Sequence, residues 1–142
     1  MKIFKIKSRI SDKFYWVYIY STLKEMRNDA TEYDKKSTLK QSSNYNSLAV
    51  THCYVRERIY SNGKRKKKKD IGIIRFVDKR LITEIVAHEI VHASMWNYRV
   101  EFTKDEIANF KDGCNPDEEK YAYLYGQLFR DITIKLYKYK YW

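Results

Sequence analysis

The sequence predicts an α+β domain in which helices pack on one small, twisted, mostly antiparallel sheet. Three observations predict it. Short runs near the N-terminus are dense in aromatic and β-branched residues, a capping box follows them, and the second half holds two long helical stretches, 78–96 and 115–137. With 142 residues, a single domain over 1–142 is expected. Such a length buries about two-thirds of the unfolded chain's surface.

The elements follow in order. Lys2 to Lys7 is partly alternating, and Phe14 to Tyr20 is rich in β-formers, so each reads as a strand. Thr22 and Glu25 have capping-box spacing, which starts a helix at Leu23 and carries it to about Lys35, with Leu23, Met26 and Ala30 as its apolar stripe. The polar stretch from Ser37 to Ser47 reads as a loop. Leu48 to Tyr60 reads as a strand, and Asn62-Gly63 as a two-residue hairpin turn in which both positions accept positive φ. The return strand ends in Asp70 to Val77. Asp78 is then available to cap a helix that is apolar on nearly every side and runs through Trp96, so it is expected to be buried. A polar connection covers 97–115, and Pro116 opens a last helix that runs toward Tyr137. The expected order is β-β-α-β-β-α-α.

Composition narrows the setting. Lys and Arg number 29 against 18 acids, a formal charge of +11, and Lys64 to Lys69 is an unbroken cationic run. Cys53 and Cys114 are far apart and fit no zinc-ribbon or CxxC pattern, as in a reduced, disulfide-free protein. Met1 to Lys7 lacks the apolar core of a secretion signal, and no stretch has membrane-spanning length. A cytoplasmic protein without a membrane partner is expected. Abundant Lys, Tyr, Ile and Asn with a single Pro suggest an AT-rich coding sequence.

The motif that carries chemistry is His88-Glu89-Ile90-Val91-His92, which holds two of the chain's three histidines. Residues four apart on a helix share a face, so both imidazoles can hold one zinc ion while Glu89 faces the zinc's water as general base. The plain alternative is a core helix with two satisfied histidines. A catalytic zinc takes three protein ligands, and no histidine follows His92. His52 lies upstream on a predicted strand and is a poor candidate. The remaining pool is Cys114 and the acids from Asp105 to Glu119, among them Asp112. Ala122 and Gly126 form a small-residue strip on which another helix could pack, and Glu118 and Glu119 flank it. If that strip meets the motif helix, Glu119 is the favoured third metal ligand, with Glu118 next. Acids at a helix N-terminus are also favoured by the macrodipole without any metal.

These residues carry a resemblance. His88-Glu89-x-x-His92 with a later glutamate-bearing helix resembles a minimal zincin of the gluzincin kind, the HExxH zinc metallopeptidases. The spacing Glu119, Ala122, Gly126 is similar to the last-helix pattern of ImmA/IrrE-like metallopeptidases. Nearer still are short phage-encoded metallopeptidases, in which a strand like Asp70 to Phe76 precedes a helix like Thr83 to Ala93. The similarity covers about residues 70–96 and 115–132. It implies a zincin-like active-site helix, a zinc cofactor, a peptide or protein substrate, peptide-bond hydrolysis with Glu89 as base, and the host cytoplasm for a phage product. It further implies that the strand before the motif helix, here Ile71 to Phe76, forms a sheet edge holding an extended peptide, with Gly72 either allowing close approach or marking a bulge. With 14 tyrosines, the sequence nominates no oxyanion partner among Tyr98, Tyr121 and Tyr125.

A second functional class competes. Arg56, Arg58, Lys64, Arg65, Lys66, Lys67, Lys68 and Lys69 would lie on one hairpin. Such a ribbon can follow a phosphate backbone, in a nucleic-acid or protein-binding module whose zinc site is structural or vestigial. It can equally be a solvated tip whose lysines protect an exposed strand.

Overall fold

The computed structural model describes residues 1–36, 46–102 and 116–142, with the backbone alone described at 102 and 116–118. The chain begins with β1 (Lys2–Lys7) and β2 (Phe14–Tyr20), an antiparallel pair, followed by α1 (Leu23–Lys36). The capping box forms as the sequence predicts: Glu25 N–H donates to Thr22 Oγ1 and Thr22 N–H donates to the Glu25 carboxylate. Next come β3 (Val50–Cys53), β4 (Glu57–Ile59), β5 (Arg65–Lys67) and β6 (Asp70–Val77). Two helices close the chain, α2 (Thr83–Phe102) and α3 (Pro116–Lys138). The fold is α+β with a C-terminal helix, as expected.

The main sheet has the order β1-β2-β6-β3. Its β2–β6 pair is parallel and the other two pairs are antiparallel. Helices cover both faces. On one face Tyr15, Val17, Ile74 and Phe76 meet Val86 and Ile90 of α2 and Leu124 and Leu128 of α3 in the main core. On the other, Tyr20 and Val77 meet Met26 of α1. No helix among the described residues is long and apolar enough to cross a membrane.

Three expected boundaries are corrected. The strand expected over Leu48 to Tyr60 is broken after Cys53, because β6 begins at Asp70 and offers no partner beyond the Tyr54–Ile71 backbone bond. The cationic segment then pairs with itself as a separate β4–β5 ribbon. Its turn is not the two-residue type. Tyr60 N–H bonds to Lys64 O across a Ser61-Asn62-Gly63 loop in which Gly63 alone has positive φ, +78°, while Asn62 Oδ1 accepts from Lys64 N–H. Asp78 caps no long helix: 78–80 form a single 3-10 turn, and α2 begins at Thr83. At its other end α2 continues past Trp96 to Phe102, so the expected connection from Asn97 starts as helix, and 103–115 lie outside the described residues.

Candidate active site

Helix α2 is held to the sheet by its apolar side and by one buried hydrogen bond. Val86, Ile90 and Ala93 are fully buried, and the Tyr15 hydroxyl donates to Ala93 O at 2.6 Å. Tyr15 reaches that carbonyl over Gly72, where the β2–β6 register shifts. A Cβ at Gly72 would meet Tyr15 Cε1 at 2.6 Å and His52 O at 2.7 Å. Of the two roles open to Gly72, packing at an irregularity is the one realised.

The helix is not buried all round, contrary to expectation. His88 and His92 project from its exposed side, with Val91 and Met95 exposed beside them. The two Nε2 atoms lie 3.2 Å apart, with the rings at 79°. Between them in sequence, Glu89 turns inward and is only 6% exposed. Its carboxylate is met by the Thr51 hydroxyl, which donates to Oε2 at 2.6 Å. Thr51 and Cys53 alternate with Val50 and His52 along β3, so the strand gives Thr51 and Cys53 to the α2 side. Burial pushes the Glu89 carboxyl above the usual carboxylate range, against the opposing pull of the Thr51 hydrogen bond and the two histidines. Burial, and then the Glu89 charge, push the Cys53 thiol up to about 12.

These groups open on a cavity of about 630 Å³ between β3 and α2, lined by Thr51, Cys53, His88, Glu89, His92 and Tyr121 among others. Tyr98 also lines it and packs edge-on against Tyr121, with ring centroids 6.4 Å apart, whereas Tyr125 does not line it. The strand expected to form the substrate edge, β6, is instead central, paired with β2 on one side and β3 on the other. The edge beside the cavity is β3. The reason is topological: the segment after α1 returns to the sheet outside β6.

Two nitrogens each about 2.05 Å from a tetrahedral zinc are about 3.3 Å apart, close to the 3.2 Å separation of the two Nε2 atoms. The histidine pair therefore fits. No group of three His, Cys, Asp or Glu side chains placed to share a metal occurs among the described residues.

The route proposed for Glu119 fails at its packing step. Ala122 and Gly126 face solvent, with nothing within 4 Å of a Cβ placed at Gly126. The buried stripe of α3 is instead Leu124, Leu128, Ile132 and Leu136. Glu119 lies on the exposed side with Ala122 and Gly126 and does not line the cavity. The small-residue strip misled because the larger leucine stripe makes more apolar contact and decides which side packs. The side chain of Glu118, together with Asp112 and Cys114, falls outside the described residues.

His52 is on the opposite face of β3. Its Nδ1 lies 2.7 Å from an Arg75 guanidinium nitrogen and its Nε2 lies 2.9 Å from Asp34 Oδ1, so both ring nitrogens are engaged. Thr51 and Cys53 were missed as site residues. A threonine in a strand carries no local signal that it will meet a glutamate 38 positions later. No protein-family model, characterised protein or solved structure matches this chain.

Proposed function

We propose that this chain is a zinc-dependent metallopeptidase that hydrolyses peptide bonds, with His88 and His92 as metal ligands and Glu89 as general base. One observation carries the reading: two imidazole nitrogens at the spacing zinc requires, beside a buried carboxylate held by Thr51. Zinc, when bound, supplies Lewis-acid activation of water and polarises the scissile carbonyl. Glu89 accepts the proton of the attacking water and passes it to the leaving amine. Its burial supports both steps, since a carboxyl with a raised pKa takes a proton more readily and can carry it onward. Thr51 orients that carboxylate. An extended substrate would add to the free edge of β3 through main-chain hydrogen bonds, so its backbone would run past the cavity.

Elemental analysis of protein purified without a metal-affinity tag tests the first half. The expected result is about one zinc per chain, lost in His88→Ala. No zinc, even after incubation with the metal and desalting, overturns the reading. The second half is tested on a random peptide library read by mass spectrometry. Glu89→Gln should retain zinc and lose cleavage by at least about a hundredfold. Normal turnover in that variant would sink the mechanism. Zinc content in Glu119→Ala, Glu118→Ala, Asp112→Ala and Cys114→Ser, with Asp117→Ala as control, identifies the third ligand. Loss confined to Glu119→Ala would keep the expected assignment, and an unchanged Glu119→Ala would move it to whichever of the others loses metal.

A further inference from the structure

The peptidase reading makes no use of the β4–β5 ribbon, and its two faces are not alike. Every residue from Val55 to Lys69 is exposed, so the ribbon stands free of the core. Glu57 pairs with Lys67, Arg58 with Lys66 and Ile59 with Arg65, while backbone bonds extend the pairing to Tyr60–Lys64 and Arg56–Lys68. Cross-strand partners share a face and neighbours along a strand alternate. One face therefore carries Arg56, Arg58, Lys64, Lys66 and Lys68 with Tyr60, and no acid. The other carries Glu57, Ile59, Arg65 and Lys67, and there Arg65 is paired with Glu57 at 3.7 Å.

A tip built only for solubility gains nothing from sorting its charges this way. The cationic face is also ordered for contact. The Arg58 guanidinium sits over the Tyr60 ring at 5.2 Å and that of Arg56 over Tyr54 at 4.1 Å. Within this face Arg56 has the one acidic neighbour, Asp70 at 3.7 Å at the ribbon's base. The base is pinned to the domain: Trp96 Nε1 donates to Tyr54 O at 3.3 Å, and the Tyr54 hydroxyl donates to Asp70 at 3.0 Å. From Arg56 to Tyr60 the strand spans about 13 Å. A two-stranded ribbon of this kind enters the B-form major groove, which is about 12 Å wide and lined on both sides by phosphates.

We infer that the ribbon face formed by Arg56, Arg58, Lys64, Lys66 and Lys68 is a docking surface for the phosphate backbone of duplex DNA. Binding is non-specific in sequence, because lysine and arginine contacts to phosphates carry no sequence information. Its place at the end of β3 would bring a DNA-associated protein alongside the cavity. The inference does not depend on the peptidase reading, since it concerns affinity and not hydrolysis.

The experiment is fluorescence anisotropy with a random-sequence duplex of about 20 base pairs across a salt series, using the full chain. Two charge-matched double variants separate the faces: Arg58→Gln with Lys66→Gln, and Arg65→Gln with Lys67→Gln. The first pair should weaken binding about tenfold and lower the slope of log affinity against log salt by about 2, while the second changes affinity less than about threefold. Lys66→Gln with Lys68→Gln should repeat the first result, which guards against a misfolded variant. Equal losses from both faces, or no loss from the first pair, would overturn the docking surface. Polyglutamate that competes as well as unlabelled duplex would overturn it too, in favour of an acidic protein partner.

Discussion

The two faces of β3 look toward histidines in different settings: His52 on the α1 side, and His88 and His92 of α2 on the other. Toward α1, His52 uses both ring nitrogens, one with Arg75 and one with Asp34, and stacks on Tyr33 with ring centroids 4.6 Å apart. Arg75, 2% exposed, also donates to Asp29 at 2.7 Å, and Tyr20 donates to the same carboxylate at 2.6 Å. Toward α2, His88 and His92 are exposed and turn their Nε2 atoms on each other. The nitrogens of His52 are engaged by other elements of the fold, whereas those of His88 and His92 meet each other at 3.2 Å on the exposed side of one helix. The first arrangement ties β3, β6 and α1 together, and the second is the pair to which the proposed function assigns the metal.

The largest effect that would break this comparison is on stability. Arg75→Met removes the buried cation from the α1 face and leaves His52 Nδ1 and the half-exposed Asp29 without its guanidinium. The expected loss is about 3 kcal/mol in urea unfolding, because His52 Nδ1 and the Asp29 carboxylate each lose a charged hydrogen-bond donor. His88→Ala, on the exposed side, should change the metal-free protein by less than about 0.5 kcal/mol while removing zinc binding. Similar stability losses from the two substitutions would mean that the α2-face pair is also part of the structural framework.

The next effect is a pH dependence that sharpens the contrast. His52 is neutral in the fold: Nδ1 accepts from Arg75, and Nε2 lies 2.9 Å from Asp34 Oδ1. Burial and then the Arg75 charge lower its pKa below the ordinary value, with Asp34 and Asp29 opposing. The unfolded chain therefore binds a proton at a higher pH than the native one, so this contribution to stability is complete above about pH 6.5 and declines as the pH falls below it. His52→Gln keeps an acceptor and a donor in place and cannot titrate. It should remove on the order of 1 kcal/mol of the stability difference between about pH 7 and about pH 5.5. The two proteins differ at position 52 alone, so subtraction isolates His52. An unchanged pH profile would mean that His52 is charged in the fold and is not held as an acceptor.

Much of this was legible where one local signal was strong. The capping box at Thr22 and Glu25 and the β-forming run at Phe14 to Tyr20 formed as read, and a helix carries His88 and His92, with both of its ends shifted from expectation. What failed depended on tertiary competition. A strand that looked continuous to Tyr60 loses its partner at the start of β6, and the strand before the motif helix became central when β3 returned outside it. Thr51 was invisible because its role exists only once β3 lies beside α2. The packing step behind the Glu119 expectation failed by weighting Ala122 and Gly126 above Leu124, Leu128, Ile132 and Leu136.

That packing difference yields the smallest test, and it uses one substitution at two glycines. Gly72→Ala puts a Cβ into the Tyr15 ring and against the backbone oxygen of His52, and the oxygen cannot swing aside. The variant should be destabilised by about 1 to 3 kcal/mol, as overpacked cores are. Gly126→Ala meets nothing within 4 Å on an exposed helix face and should stabilise the protein by up to about 1 kcal/mol through helix propensity alone. Thermal unfolding of the two variants gives the signs directly, and zinc content adds the functional arm. Zinc content unchanged in Gly126→Ala agrees with α3 presenting its leucine stripe to α2 and Glu119 to solvent. A destabilised Gly126→Ala that also lost zinc would mean that the Ala122–Gly126 side approaches α2 in the metal-bound protein, and Glu119 would again be the first choice for the third ligand.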